Sequence, residues 1–195
     1  MAREPRIPKA EITGPYGWLV KRFSRKMFGD VPEAVGVLWH HQKLLRDTMG
    51  LGRKVQGWKA LDADLSAYAH MAVAAYVGCS WCLDFNYFMA EHEGLDLAKA
   101  SQVPRWRESD VFTPLERDVM EYAEAMSATP PTVSDELSAR LLDRLGAAAL
   151  LELTSKVAFA NMTTRSNVAL GIEAQGFSAS CAVPLATPAR EAAPA

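Results

Sequence analysis

The sequence predicts an all-α fold, and two observations carry the prediction. Apolar residues recur at helical spacing through most of the 195 residues, with no stretch of strict apolar–polar alternation. Helix-start signatures punctuate the chain: Asp30 ahead of Pro32, Thr113-Pro114-Leu115-Glu116, and Ser134-Asp135-Glu136-Leu137. Neither an internal repeat nor a Gly-rich phosphate loop interrupts the pattern, so helices packed on helices are expected. The length suits one domain with extensions: an arm and amphipathic helix over 1–29, a helical domain over 30–177, and a disordered tail over 178–195.

Residues 1–15 carry Pro5, Pro8, Gly14 and Pro15 and read as an irregular arm. Tyr16 to Phe28 mixes Trp18, Leu19, Phe23, Met27 and Phe28 with Lys21, Arg22, Arg25 and Lys26, an amphipathic helix suited to packing on the core or on a second subunit. Asp30 is the expected N-cap of a helix running to Met49 with Val35, Leu38, Trp39 and Leu45 inward. His40 and His41 are adjacent in it, so they point apart and make a poor chelating pair. Gly50 and Gly52 are expected to end that helix, leaving 53–60 as a basic linker. Leu61 to Val77 is nearly uncharged after Asp64 and reads as a buried helix, with His70 inside it.

A helix is expected to run on from Cys82 to Gly94, then a short one over Leu95 to Ala100 and a connection over 103–110. The helix opened at Thr113 should close near Thr129 before Pro130-Pro131, and the next should run from Ser134 to Leu145-Gly146. Ala147 to Ile172 is the last long helical pattern, with Asn161 and Arg165 four residues apart on one face.

Composition narrows the function classes. Hydrophobic residues make up 49% of the chain, and 21 basic residues stand against 23 acidic, a net charge of −2. That balance implies neither nucleic acid nor an anionic membrane as partner. The start, Met-Ala-Arg-Glu-Pro-Arg, lacks the apolar core of a secretory signal. No apolar run approaches the roughly 20 residues of a membrane span. A cytoplasmic protein is expected.

The chemistry concentrates in Gly78-Cys79-Ser80-Trp81-Cys82-Leu83-Asp84-Phe85-Asn86. If Cys79 starts a helix, two intervening residues bring both sulfurs into disulfide range near the positive end of the helix, which favours thiolate. Three readings stay open on the residues alone: a redox-active dithiol, half of a zinc site, or two buried cysteines that happen to lie close. Zinc needs a second ligand pair. The remaining candidates, His40, His41, His70, His92 and Cys181, form none, so no metal or cofactor is expected. His70 is the nearest titratable base upstream of the cysteines. Cys181 reads as incidental.

Gly78-Cys79-Ser80-Trp81-Cys82 between helices, followed by the run from Trp106 to Arg117, resembles the carboxymuconolactone decarboxylase and alkyl hydroperoxidase D family. Glu121-Tyr122-Ala123-Glu124-Ala125, Val133 to Leu137 and Glu152-Leu153-Thr154 match it too, so the resemblance spans about residues 30–175. It implies an oligomeric alkyl hydroperoxidase D-like helical bundle: a trimer, a hexamer or a dimer. It also implies that Cys82 attacks a hydroperoxide, that Cys79 resolves the disulfide, and that a disulfide reductant restores the pair. The family's proton-handling Glu falls on Ala67 and its His on Asn86, so peroxidase activity should be slow unless His70 or Asp84 substitutes. Cys82, Cys79, His70, Asn86 and Asp84 are therefore the candidate catalytic residues. Two other readings stand beside the peroxidase. One is a cofactor-free lyase acting on a small carboxylate or lactone through Arg165 and His70. The other is a non-catalytic oligomer that binds a ligand or partner, with helix 16–28 as its interaction element.

Overall fold

The computed structural model describes residues 4–188, and among them the fold is all-α, without a strand. Eight α-helices follow in order: α1 Gly14–Phe28, α2 Glu33–Leu38, α3 Gln42–Gly57, α4 Ala63–Val77, α5 Ser80–His92, α6 Leu97–Ala100, α7 Pro114–Ser127 and α8 Asp135–Leu170. Short 3-10 turns cover Trp39–His41, Val103–Glu108 and Phe177–Ser180.

α4 is the central helix. Its near-uncharged sequence packs on α5, α7 and α8, and Met71, Ala72, Val73 and Ala74 are wholly inaccessible. Small side chains at Ala72 and Ala74 let neighbouring helices approach. α7 begins where its capping box was read: Thr113 and Glu116 each accept the other's backbone N–H. Lys99 pairs with Glu116 at 2.9 Å, fixing α6 against that helix start. The stretch from Trp106 to Arg117 forms a bracket: Trp106 Nε1 donates to Glu124 at 2.8 Å, Arg107 pairs with the same carboxylate, and Arg117 donates back to the Trp106 carbonyl.

Several boundaries depart from expectation. The helix read from Asp30 to Met49 is broken at Trp39–His41. Asp30 is not its N-cap; its Oδ1 accepts from Val31, and Pro32 holds the cap position of α2. His41 caps α3 by accepting the Leu44 N–H at 3.2 Å, and His40 Nε2 sits 2.8 Å from the Pro8 carbonyl. Gly50 and Gly52 do not end the helix. α3 runs through both to Gly57, so most of the linker placed at 53–60 is helical. A Cβ on Gly52 would lie 3.4 Å from Phe159 Cζ, so the residue makes close passage to α8 easy rather than stopping α3. α8 joins the two helices read separately, across a break at Gly146. The arm is anchored by Arg6 N to the Leu170 carbonyl (2.8 Å) and Ala10 N to the Gly36 carbonyl (3.1 Å). Residues 178–188, assigned above to the tail, carry contacts to the bundle: Tyr87 Oη donates to the Val183 carbonyl at 2.6 Å and Ala186 N to the Ser101 carbonyl at 2.9 Å. Residues 189–195 lie outside the described residues. No helix of the described residues is long and apolar enough to cross a membrane.

Candidate active site

α4 ends because Gly78 adopts a left-handed conformation, with φ of 80°, that a side chain would resist. The turn hands Cys79 directly to the N-cap of α5, where its sulfur accepts the Cys82 N–H at 3.2 Å. The local condition set by the sequence is therefore met: the first cysteine caps the helix and the second sits in its first turn. Their sulfurs are joined as a disulfide of 2.12 Å with Cα atoms 5.3 Å apart. Both are buried, Cys79 at 1% and Cys82 at 4% exposure. In reduced form either thiolate would feel the helix N-terminus.

Cys82 has a further neighbour. Asn167, near the end of α8, places its Nδ2 donor 3.4 Å from the Cys82 sulfur. A donor aimed at sulfur favours the charged form. This residue was not singled out from the sequence. It lies 85 positions downstream, and only the packing of α8 against α5 brings it there.

One helical turn beyond Cys82, the face of α5 opens on a cavity of about 430 Å³. Ala67 and His70 of α4, Phe85, Asn86 and Met89 of α5 and Lys156 of α8 line it, with Trp58 at its mouth. The two positions where the resemblance places the proton-handling Glu and His thus share one cavity with His70. Asn86 is held by donating to the Cys82 carbonyl at 2.7 Å. Burial, and secondarily the Lys156 ammonium, pull His70 down from 6.5 to about 4. At neutral pH it is therefore a neutral imidazole, a weaker base than a free one, with a ring nitrogen open to accept a hydrogen bond. Behind Lys156 lies Glu152, with 3.5 Å between Nζ and Oε1. Its other oxygen, Oε2, accepts the Ala60 N–H at 2.7 Å.

Two candidates stand elsewhere. Asp84 cannot act as a substitute base in this cavity because both its oxygens are engaged by the turn after α8. Oδ2 accepts from the backbone of Gln175, Gly176 and Phe177 at 2.9–3.1 Å, and Oδ1 from Ser178 N and Oγ at 2.7 and 2.6 Å. Arg165 does not meet His70. It donates to the Ser127 carbonyl and Asn161 Oδ1, bridging α8 to the end of α7, and it does not line the cavity that holds His70. Cys181 is half-buried, and burial first, then a hydrogen bond with Glu91, push its thiol up to about 11. Among the described residues no group of three or more His, Cys, Asp or Glu is placed to hold a metal ion.

The model of the carboxymuconolactone decarboxylase family matches residues 42–125, which include the cysteine pair. An uncharacterized protein of Escherichia coli strain K12, YnjA, is 36% identical over 124 residues, 64% of this chain; the match spans just under two thirds, 66%, of YnjA. Two solved structures share the fold. The debrominase Bmp8 aligns with a TM-score of 0.73 at 20% identity, covering 84% of this chain and 88% of its own. The alkylhydroperoxidase AhpD core of an uncharacterized peroxidase-related protein from Ralstonia eutropha JMP134 aligns with a TM-score of 0.77 at 15% identity, covering 91% and 96%.

Proposed function

Because this chain belongs to the carboxymuconolactone decarboxylase family, we propose that it is a dithiol oxidoreductase that reduces a small hydroperoxide. The observation that carries the reading is the Cys79–Cys82 pair across the first turn of α5, with the Asn167 donor on the Cys82 sulfur. Cys82 as thiolate attacks the peroxide, forming a sulfenic acid as the O–O bond breaks and an alcohol leaves. The Cys79 thiol then attacks that sulfur, releasing water and closing the disulfide. A dithiol or other disulfide reductant returns both thiols. With Ala67 and Asn86 in place of an acid–base pair, His70 takes the thiol proton, directly or through a water in the cavity.

The test is intact mass of the reduced protein before and after one equivalent of an alkyl hydroperoxide. Wild type should lose about two mass units rapidly, and only Cys79→Ser should trap a sulfenic acid. Oxidation no faster than that of an ordinary free thiol, or unchanged turnover in Cys82→Ser, would rule the reading out. A second electrophile belongs in the same assay. The debrominase Bmp8 shares this fold, and a Cys-to-Ala variant of it is known in complex with 2,3,4-tribromopyrrole. The aromatic walls Trp58 and Phe85 suit a brominated ring. Reductive loss of bromide would close the same disulfide, yielding the debrominated ring, bromide and a proton. Bromide release by the reduced protein, with none from Cys82→Ser, would favour that substrate.

A further inference from the structure

Lys156 on the cavity wall and Glu152 behind it form a polar pair that the cysteine chemistry above leaves without a task. Lys156 and Glu152 lie four residues apart on α8, with side chains 12% and 7% exposed. Burying such a pair is costly unless its hydrogen bonds are completed. They are not: Glu152 Oε1 is buried with no hydrogen-bond partner, and Nζ of Lys156 approaches it only to 3.5 Å. Lys156 lines the same cavity as His70, Ala67 and Asn86, close enough to His70 for its charge to be felt there. An ammonium whose carboxylate partner approaches only to 3.5 Å keeps donors for an oxygen that enters the cavity. The other charged groups around the cavity, Lys59, Asp62 and Glu93, are at the exposed rim. Asp62 is further occupied in capping α4.

We propose that Lys156 is the general acid of this site, protonating the oxygen that departs from the substrate, and that Glu152 is the positioning residue that holds it there. The assignment rests on the dithiol reading and completes its proton balance. His70 takes the Cys82 thiol proton. The thiolate forms the S–O bond, the O–O bond breaks, and sulfur is oxidised to the sulfenic acid. The departing alkoxide, a strong base, takes a proton from Nζ and leaves as alcohol. The proton on His70 then passes to the neutral Lys156 amine beside it, so both groups return to their starting states. A lysine supplied from α8 thereby replaces proton-handling groups lost from α4 and α5.

The experiment compares two oxidants in single-turnover reactions of the reduced, full-length protein. Cumene hydroperoxide expels an alkoxide, which needs a proton. A peracid expels a carboxylate, a stable anion at neutral pH. Lys156→Met should slow cumene hydroperoxide by about a hundredfold, the usual scale of general-acid help. The peracid rate should not change, nor should alkylation of Cys82 by iodoacetamide, whose leaving group is a halide. Glu152→Gln, which keeps an oxygen for the Ala60 N–H, should show the same oxidant-selective loss in smaller measure. Equal slowing of both oxidants, or of neither, would overturn the assignment. Should Lys156→Met fail to fold, wild type decides: thiol ionisation is common to both oxidants, so a solvent deuterium isotope effect larger with cumene hydroperoxide than with the peracid is required, and equal effects reject the proposal. A wild type that reduces neither oxidant faster than a free thiol would instead remove the dithiol reading, and this assignment with it.

Discussion

At the scale of single residues, the site divides into groups that announce themselves in the chain and groups that do not. The cysteine pair is legible because its chemistry depends on a spacing of three residues. His70 is legible as a lone base in an apolar helix. Asn167 and Lys156 carry no local signal: each looks like an occasional polar residue on a long helix, and only tertiary packing gives it a direction. Glu152 enters the sequence reading only as part of the family-like Glu152-Leu153-Thr154, with no role attached. Asn167 has a measurable consequence. Its Nδ2 faces the Cys82 sulfur, so Asn167→Leu should raise the Cys82 thiol pKa and slow iodoacetamide alkylation at neutral pH several-fold. Alkylation profiles against pH should show the shift, and an unchanged profile would remove Asn167 from the site. His70 makes a second prediction with a definite sign. Folding lowers it from 6.5 to about 4, so between those values the unfolded chain binds the extra proton and the native protein does not. The contribution is intact above 6.5 and is lost as pH falls toward 4. The melting temperature of wild type should therefore drop relative to His70→Gln over that window, a difference that leaves out the carboxylates common to both.

At the scale of elements, helix existence was readable and helix punctuation less so. The capping box at the start of α7 transferred directly, because Thr113 and Glu116 satisfy orphan backbone groups whatever packs outside. Glycine misled at 50 and 52. Its helix penalty is only about 1 kcal/mol per residue, and the packing of Leu45 and Val55 in α3 outweighs it. At 146 glycine did mark a break, for a different reason: φ 75° and ψ 166° lie in a region essentially restricted to glycine. A Cβ there would touch nothing within 4 Å, so the cost of Gly146→Ala is backbone strain alone, about 1–3 kcal/mol by denaturant unfolding. Asp84 shows how proximity to the cysteines misled the assignment of a role. On the sequence it is the nearest carboxylate to them, yet it projects into the turn after α8 and gathers four backbone donors and one hydroxyl. Asp84→Ala should cost about 3 kcal/mol, since buried donors to a carboxylate would be left unpaired. Amide exchange should quicken first at 175–178. Fast exchange there in wild type would show that the carboxylate is not what holds the turn.

At the scale of the whole molecule, the all-α class follows from periodicity, and the bundle from one helix, α4, being apolar on nearly every side. A helix without a polar face must be surrounded, and α5, α7 and α8 surround it. The same reasoning applied to α1 leads outward. Its inner side is closed by packing: a Cβ on Gly17 would sit 3.0 Å from Ile12 Cγ2, and Ser24 is 4% exposed. Its other side presents Tyr16, Leu19, Phe23 and Met27 in one stripe, with Leu19 and Phe23 each 56% exposed. An apolar stripe of this kind marks a surface that is covered in solution. Leu44, Met49 and Leu51 on α3 are exposed as well, at 43–48%. The expected cover is a second copy of the chain. Light scattering after size exclusion should give an oligomer for wild type and a smaller species for Leu19→Glu with Phe23→Glu, with helical content retained. If both proteins run at monomer mass, or both at the same oligomer mass, the α1 stripe is not the subunit contact. That test is separate from those of the site, whose argued residues run from His70 on α4 to Asn167 on α8.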